Sequence, residues 1–200
     1  ADRTGISAAG AESARRLQVA FPDEQEGGMK NLMALIHAFG LLGSRSRGGW
    51  GALHIDAVDT LPVQDMRHYA RDISSCLGND WAMSLAKDKK GLLIWQSNVE
   101  LDSWNKAMKL IATQRKQVRT ALKQGKDLRS ALGFASPGRM PSPLRWKVMA
   151  TKSGKLIIRV FAMPHRLPDG SGKQLSPQDI QTAWETVAST LDGIYPQRLS

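Results

Sequence analysis

The chain has 200 residues, 42% of them hydrophobic, with Lys+Arg 28 against Asp+Glu 18, a formal charge of +10 and a single cysteine. That content excludes a disordered polymer, and one thiol excludes an internal disulfide or a thiolate zinc site built from this chain alone. The basic balance favours an anionic partner, nucleic acid ahead of an acidic membrane surface.

No apolar run approaches bilayer length and no charged-then-apolar leader opens the sequence, so the expectation is a soluble, cytoplasmic protein with no membrane partner. The first residue is Ala1 rather than Met, which reads as a fragment or a processed form.

Residues 1–14 are small and polar, without period, and read as a flexible N-terminal segment; residues 15–200 read as a single domain. Leu17, Val19 and Phe21 alternate as in a half-buried strand. Leu32, Leu35, Ile36 and Phe39 recur at helical spacing within Met29–Phe39, and Gly40 supplies the stop. A glycine-rich stretch, GLLGSRSRGGWGAL, follows at 40–53. Leu53, Ile55 and Ala57 then alternate as a strand, and Met66, Tyr69, Ile73 and Leu77 mark an amphipathic helix.

GLLIWQS at 91–97 has the length and composition of a short buried strand. A long basic helix is predicted from about Ser103 to Lys123, with Trp104, Met108, Ile111 and Val118 on one face. After a Gly/Pro/Ser-rich loop at 133–143, LRWKVMA and KLIIRVFAM flank TKSG and predict an antiparallel hairpin. Ser176, Pro177 and Asp179 give the last helix its start, and Ile180, Trp184, Val187 and Leu191 its buried stripe. Strands interleaved with helices predict an α+β fold, with helices on one face of a mostly antiparallel sheet and a ferredoxin-like core with insertions. Cys76 and the tryptophans at 81, 95, 104, 146 and 184 read mainly as core.

The basic character is local. Residues 102–160 hold 14 Lys and Arg, including Arg115, Arg119, Arg139, Arg145, Lys147 and Arg159, against only Asp102 and Asp127, a net +12. A positive helix beside an arginine-bearing loop and strand makes an electrostatic track for a phosphate backbone; a merely solvated face is the bland alternative.

The stretch at 40–51 is not a mononucleotide P-loop, because it has no lysine and a strand rather than a helix is predicted after it. The order of elements also fails a dinucleotide fingerprint. What fits is a loop whose amides and guanidinium forks hold phosphates of a single-stranded nucleic acid, with Trp50 stacking on it or packing beneath. The plain alternative is a tight structural connection. Candidate RNA-binding residues are Gly43, Ser44, Arg45, Ser46, Arg47, Gly49, Trp50, Gly51, Arg139 and Arg145.

FGLLGSRSRGGWGAL resembles the glycine-rich loop of the RAMP superfamily of CRISPR proteins, and within it that of the first RAMP subunit of type III-B (Cmr) effector complexes. Gly43, Ser44, Arg45, Ser46, Arg47, Gly49 and Gly51 match its core, with Trp50 for the aromatic. LDSWNKAM at 101–108 and SPL at 142–144 are similar to later segments of the same family. Gly48 departs from a common arginine and Leu42 from a frequent glycine. No N-terminal RAMP unit is recognisable, so the likeness, over about residues 29–192, implies the C-terminal unit. It also implies a ferredoxin-like RAMP domain with no cofactor, antiviral defence as its setting, and a non-catalytic role. The implied partners are guide RNA (crRNA), target RNA and other effector subunits.

Some RAMP relatives cleave guide precursors without metal, using a histidine or tyrosine base. His54 and His165 are the positions for that alternative, a RAMP endoribonuclease. His37 and His68 fall in helical patterns and read as packing or surface residues, and Asp56, Asp59 and Asp65 as surface carboxylates and helix caps.

Overall fold

A computed structural model describes residues 18–43, 46–56, 58, 60–136 and 138–199. The strands are β1 (Gly48–Gly49), β2 (Ala70–Asp72), β3 (Leu85–Asp88), β4 (Gly91–Leu92), β5 (Ile94–Gln96), β6 (Leu144–Ala150) and β7 (Leu156–Ala162). The α-helices are α1 (Glu26–Phe39), α2 (Val63–His68), α3 (Ile73–Cys76), α4 (Trp104–Ala121) and α5 (Pro177–Ile194). The result is a mixed α+β protein with two sheets, ordered β1-β6-β7-β5 and β2-β3-β4.

The larger sheet grows from the predicted hairpin. β6 and β7 pair antiparallel from Leu144↔Ala162 to Ala150↔Leu156, and β5 adds antiparallel to the free edge of β7. Strand alternation sends Trp146, Val148, Ile158, Val160 and Trp95 to one face, where they join Ala107, Ile111 and Val118 of α4 and Ala183, Trp184 and Val187 of α5 in the main core. Helix α5 starts on the predicted capping box of Ser176 and Asp179. Beyond it the chain returns beside β5: Arg198 bridges Trp95, and the Leu199 amide donates to the Ile94 carbonyl at 2.9 Å.

Helices cover both faces of this sheet, not one as predicted. Helix α1 lies on the face opposite α4 and α5, where Ala34, Ile94 and Phe161 form a second core and the Phe39 and Phe161 rings meet edge to face at 5.0 Å. That face also carries two cations from the middle of the hairpin. Lys147 is 1% exposed and Arg159 4% exposed. The Lys147 Nζ donates to the carbonyls of His37 (2.7 Å), Gly40 (3.0 Å) and Leu53 (2.7 Å). Arg159 donates to the Ala38 carbonyl at 3.3 Å and holds Gln96 Oε1 through two of its nitrogens. Carbonyls at a helix C-terminus have no intrahelical partner and carry the negative end of the dipole, so the hairpin cations add to the cap that Gly40 gives α1 through its amide on the Ile36 carbonyl.

Other expectations are corrected. Val19 and Phe21 are exposed and outside any strand, and Leu17 lies outside the described residues. Residues 53–56 form no strand; the chain there closes a loop, and Ala57 is not described. The single helix expected over Met66–Leu77 is interrupted by β2, whose parallel pairing with β3 outweighs the local helical period. Residues 91–97 divide between β4 and β5, which belong to different sheets. Lys147 and Arg159 are structural rather than part of a surface track. Residues 1–14, the expected flexible segment, fall outside the described range, and no described helix is long and apolar enough to cross a membrane.

The C-terminal return is fixed by an ionic cluster. Arg198 donates to both carboxylate oxygens of Asp192 at 2.7 and 2.8 Å and to Asp88 at 2.6 Å, and the Trp95 indole N–H donates to Asp192 at 2.9 Å. Burial works against the Asp192 charge, but the Arg198 fork and the Trp95 N–H outweigh it and hold the carboxyl at about 2 instead of 3.8. A depressed carboxyl stabilises the fold above its unfolded pKa and loses that contribution as pH falls through the folded value. Urea unfolding from pH 5 to 2 is expected to show stability falling between about pH 4 and 2, and Asp192→Asn is expected to remove about 2 kcal/mol of that fall. An unchanged acid limb in the variant would contradict the assignment.

Candidate nucleic-acid interface

The glycine-rich stretch is a closed loop with both ends on one cation. The Leu42 amide donates to the Gly51 carbonyl (2.8 Å) and the Leu53 amide to the Gly40 carbonyl (3.2 Å), while Lys147 holds the carbonyls of Gly40 and Leu53. Close approach explains two of the glycines. Gly51 has φ +67°, and a Cβ there would lie 1.7 Å from the Leu42 carbonyl oxygen. Gly49 has φ +99°, and its Cβ would meet Ile111 Cδ1 of α4 at 2.7 Å.

Between those anchors β1 adds to the sheet as a parallel edge strand, Gly48 opposite Trp146 and Gly49 opposite Lys147. The Trp146 amide donates to the Arg47 carbonyl at 3.3 Å. This register sets Arg47 of the loop beside Arg145 of β6. Two arginines 98 positions apart in sequence thereby line one cleft of about 310 Å³, together with Asp80, Trp81, Ser142 and His165.

Three further segments build that cleft. The Met163 amide donates to the Pro143 carbonyl (2.9 Å), which joins the 140–143 wall to the end of β7. The Arg166 amide donates to the Asn79 carbonyl (2.8 Å), which fixes the segment holding Asp80 and Trp81. Pro141, Pro143 and Pro168 stiffen the lining.

The electrostatics are unbalanced. Burial pushes the Arg145 guanidinium pKa down, and the positive charge of Arg47 adds to the shift. Arg145 Nε is buried without a hydrogen-bond partner; among the described residues only Trp184 Nε1 shares that state. Neither arginine has a carboxylate partner among the described residues. His165, 6% exposed, is held below the usual histidine value by burial first, with Arg145 and Arg47 contributing and Asp80 opposing. Its Nδ1 lies 2.9 Å from the Arg166 carbonyl, which places the proton on Nδ1 and leaves the Nε2 lone pair.

Ser142 also borders a smaller crevice lined by Arg115 and Arg119 of α4. Among the described residues neither has a carboxylate partner, and burial first, with the Arg119 charge adding, pushes the Arg115 pKa down. By contrast, Lys106 and Lys155 pair with Asp102, Lys126 with Asp179 and Arg129 with Asp127. The net charge of this region therefore overstates the surface available to a ligand, and what remains is concentrated around the cleft and α4.

Of the sequence candidates, Arg47 and Arg145 come together with His165. Ser44 and Arg45 lie outside the described residues. Gly43 and Ser46 shape the loop, the Ser46 amide donating to the Gly43 carbonyl at 3.2 Å, and Gly49 and Gly51 are accounted for by packing. Arg139 is exposed on the chain leading into the 140–143 wall but does not line the cleft. Trp50 is half exposed and sits 6.0 Å from the Trp104 ring, away from the cleft. His54 lies elsewhere, beside His37 and Asp56.

Trp95, Trp146 and Trp184 are core as expected, but Trp81 is 63% exposed and stands at the cleft. It falls outside any periodic pattern in GNDWAM, the one sign that the sequence offered. Comparison with protein-family models, with curated proteins and with solved structures gave no significant match.

A half-buried guanidinium whose Nε has no partner opposes folding, and an apolar side chain of similar length relieves that cost. Arg145→Met is expected to raise stability by about 1 kcal/mol in thermal or urea unfolding. A clear loss of stability would show that Arg145 is a structural residue.

Proposed function

We propose that this chain is an RNA-binding protein that grips phosphates of a nucleic-acid strand. The observation that carries the reading is the meeting of Arg47 and Arg145 in a cleft whose carboxylate, Asp80, pairs with neither among the described residues, with Arg115 and Arg119 continuing the positive surface past Ser142. Guanidinium forks left unpaired in a partly desolvated setting match the bidentate geometry of phosphate oxygens.

The finer form of the proposal follows the resemblance of the loop. The chain is a non-catalytic RAMP subunit of a type III CRISPR effector complex, contacting guide RNA or its duplex with target RNA and neighbouring subunits. The order of elements supports a ferredoxin-like core for it: β5, α4, β6, β7 and α5 run β-α-β-β-α, and the final segment at 198–199 lies beside β5.

The endoribonuclease alternative is favoured by one observation, the meeting of a neutral His165 with two arginines able to steady a phosphorane. Against it, the ring is almost wholly buried, and among the described residues no lysine or tyrosine lines the cleft to complete the proton transfer. We retain the non-catalytic reading.

Fluorescence anisotropy with a labelled single-stranded RNA across a salt series tests both. Arg47→Ala/Arg145→Ala is expected to weaken binding at least ten-fold and to reduce the salt slope by up to about two phosphate contacts, with the RNA intact in EDTA. Equal affinity and slope would remove the cleft from the interface, and cleavage abolished by His165→Ala would establish the enzyme instead.

A further inference from the structure

We infer that the cleft holds one unpaired nucleotide, its phosphate on Arg47 and Arg145 and its base stacked on Trp81. This rests on the phosphate-binding reading above and adds the recognition of a base and of its single-stranded state.

Trp81 stands 63% exposed in a segment whose backbone is fixed, because the Asn79 carbonyl two residues earlier accepts from the Arg166 amide at 2.8 Å. No ring or cation contact is made by the indole among the described residues, unlike Trp50, which leans on Trp104. Met83, two residues on, is also exposed. A large aromatic held in place on the lining of a cationic cleft is the arrangement that stacks a base while neighbouring guanidinium groups take the phosphate.

Asp80, next to Trp81, has no ion-pair partner among the described residues and repels a phosphate, so the anion belongs on Arg47 and Arg145. Beside Trp81 in sequence, the Asp80 carboxylate is an acceptor for the exocyclic amino group of a base such as cytosine. The prolines at 141, 143 and 168 give the lining few donors that would demand a particular base, so stacking dominates. In a duplex the bases face each other inside the helix and cannot reach Trp81, which makes the site selective for an unpaired strand.

The test uses two labelled eight-nucleotide RNAs, oligocytidylate and an abasic strand of equal length, with the wild-type chain and three variants. Wild type is expected to bind oligocytidylate about ten-fold more tightly than the abasic strand. Trp81→Ala is expected to erase that preference while leaving the salt slope unchanged, and Trp81→Phe to keep most of it. Arg47→Ala/Arg145→Ala is expected to weaken both strands and lower the slope. If wild type binds both strands alike, or Trp81→Ala keeps the preference, the stacking site is wrong although phosphate binding stands. If the double arginine variant binds both strands as wild type does, the phosphate site falls and this inference falls with it.

Discussion

Lys147 is the point on which the rest of the molecule depends. It projects from the central hairpin into the interface with α1 and satisfies the His37, Gly40 and Leu53 carbonyls at once. One bond caps the helix, and the other two clamp the two ends of the glycine-rich loop. Burial, with Arg159 adding, pushes the lysine down to about 8, yet it remains charged at neutral pH. Three acceptors need three N–H groups, and only the ammonium form has them. An uncharged replacement of equal volume would take this partner from the His37 and Leu53 carbonyls and leave the Gly40 carbonyl with the Leu53 amide alone, which costs more than the bonds are individually worth.

From that clamp the geometry of the cleft follows in short steps. A loop tied at both ends has little choice but to run along the edge of β6, and two glycines let it lie between that edge and α4. The parallel register then puts Arg47 beside Arg145. The two positive charges do not favour each other, and the fold tolerates the pair only because packing elsewhere fixes both backbones. Stability that the tryptophan-rich core and the Asp192–Arg198–Trp95 cluster supply is thus partly offset by two like charges held side by side.

Much of the scaffold was legible in the sequence, for physical reasons that differ by element. Helix α4, the β6–β7 hairpin and α5 were found because their periods run for many residues, with a turn signal in the hairpin and a capping box at the start of α5. The alternations at 17–21 and 53–57 covered only three apolar positions each, too few to distinguish a strand from chance. β1 is two glycines with no side chains to make a pattern, and its pairing with β6 is long-range. The site was half legible: residue chemistry pointed to Arg47 and Arg145, but not to their meeting. Lys147 and Arg159 were read as surface charge because α1 was assigned to the same side of the sheet as the other helices. Once α1 is placed opposite, their alternation with Trp146 and Val160 requires them to be buried.

The central claim is that the buried ammonium of Lys147 holds Arg47 in place to bind a phosphate. It is tested most directly by a double-mutant cycle on RNA affinity, measured at a temperature where Lys147→Met remains folded by circular dichroism. The account predicts that Arg47→Ala costs about ten-fold in the otherwise native chain and almost nothing in the Lys147→Met background, because the loop has already lost its register. An equal cost of Arg47→Ala in both backgrounds would show that the loop finds its place without the clamp, and would contradict the account.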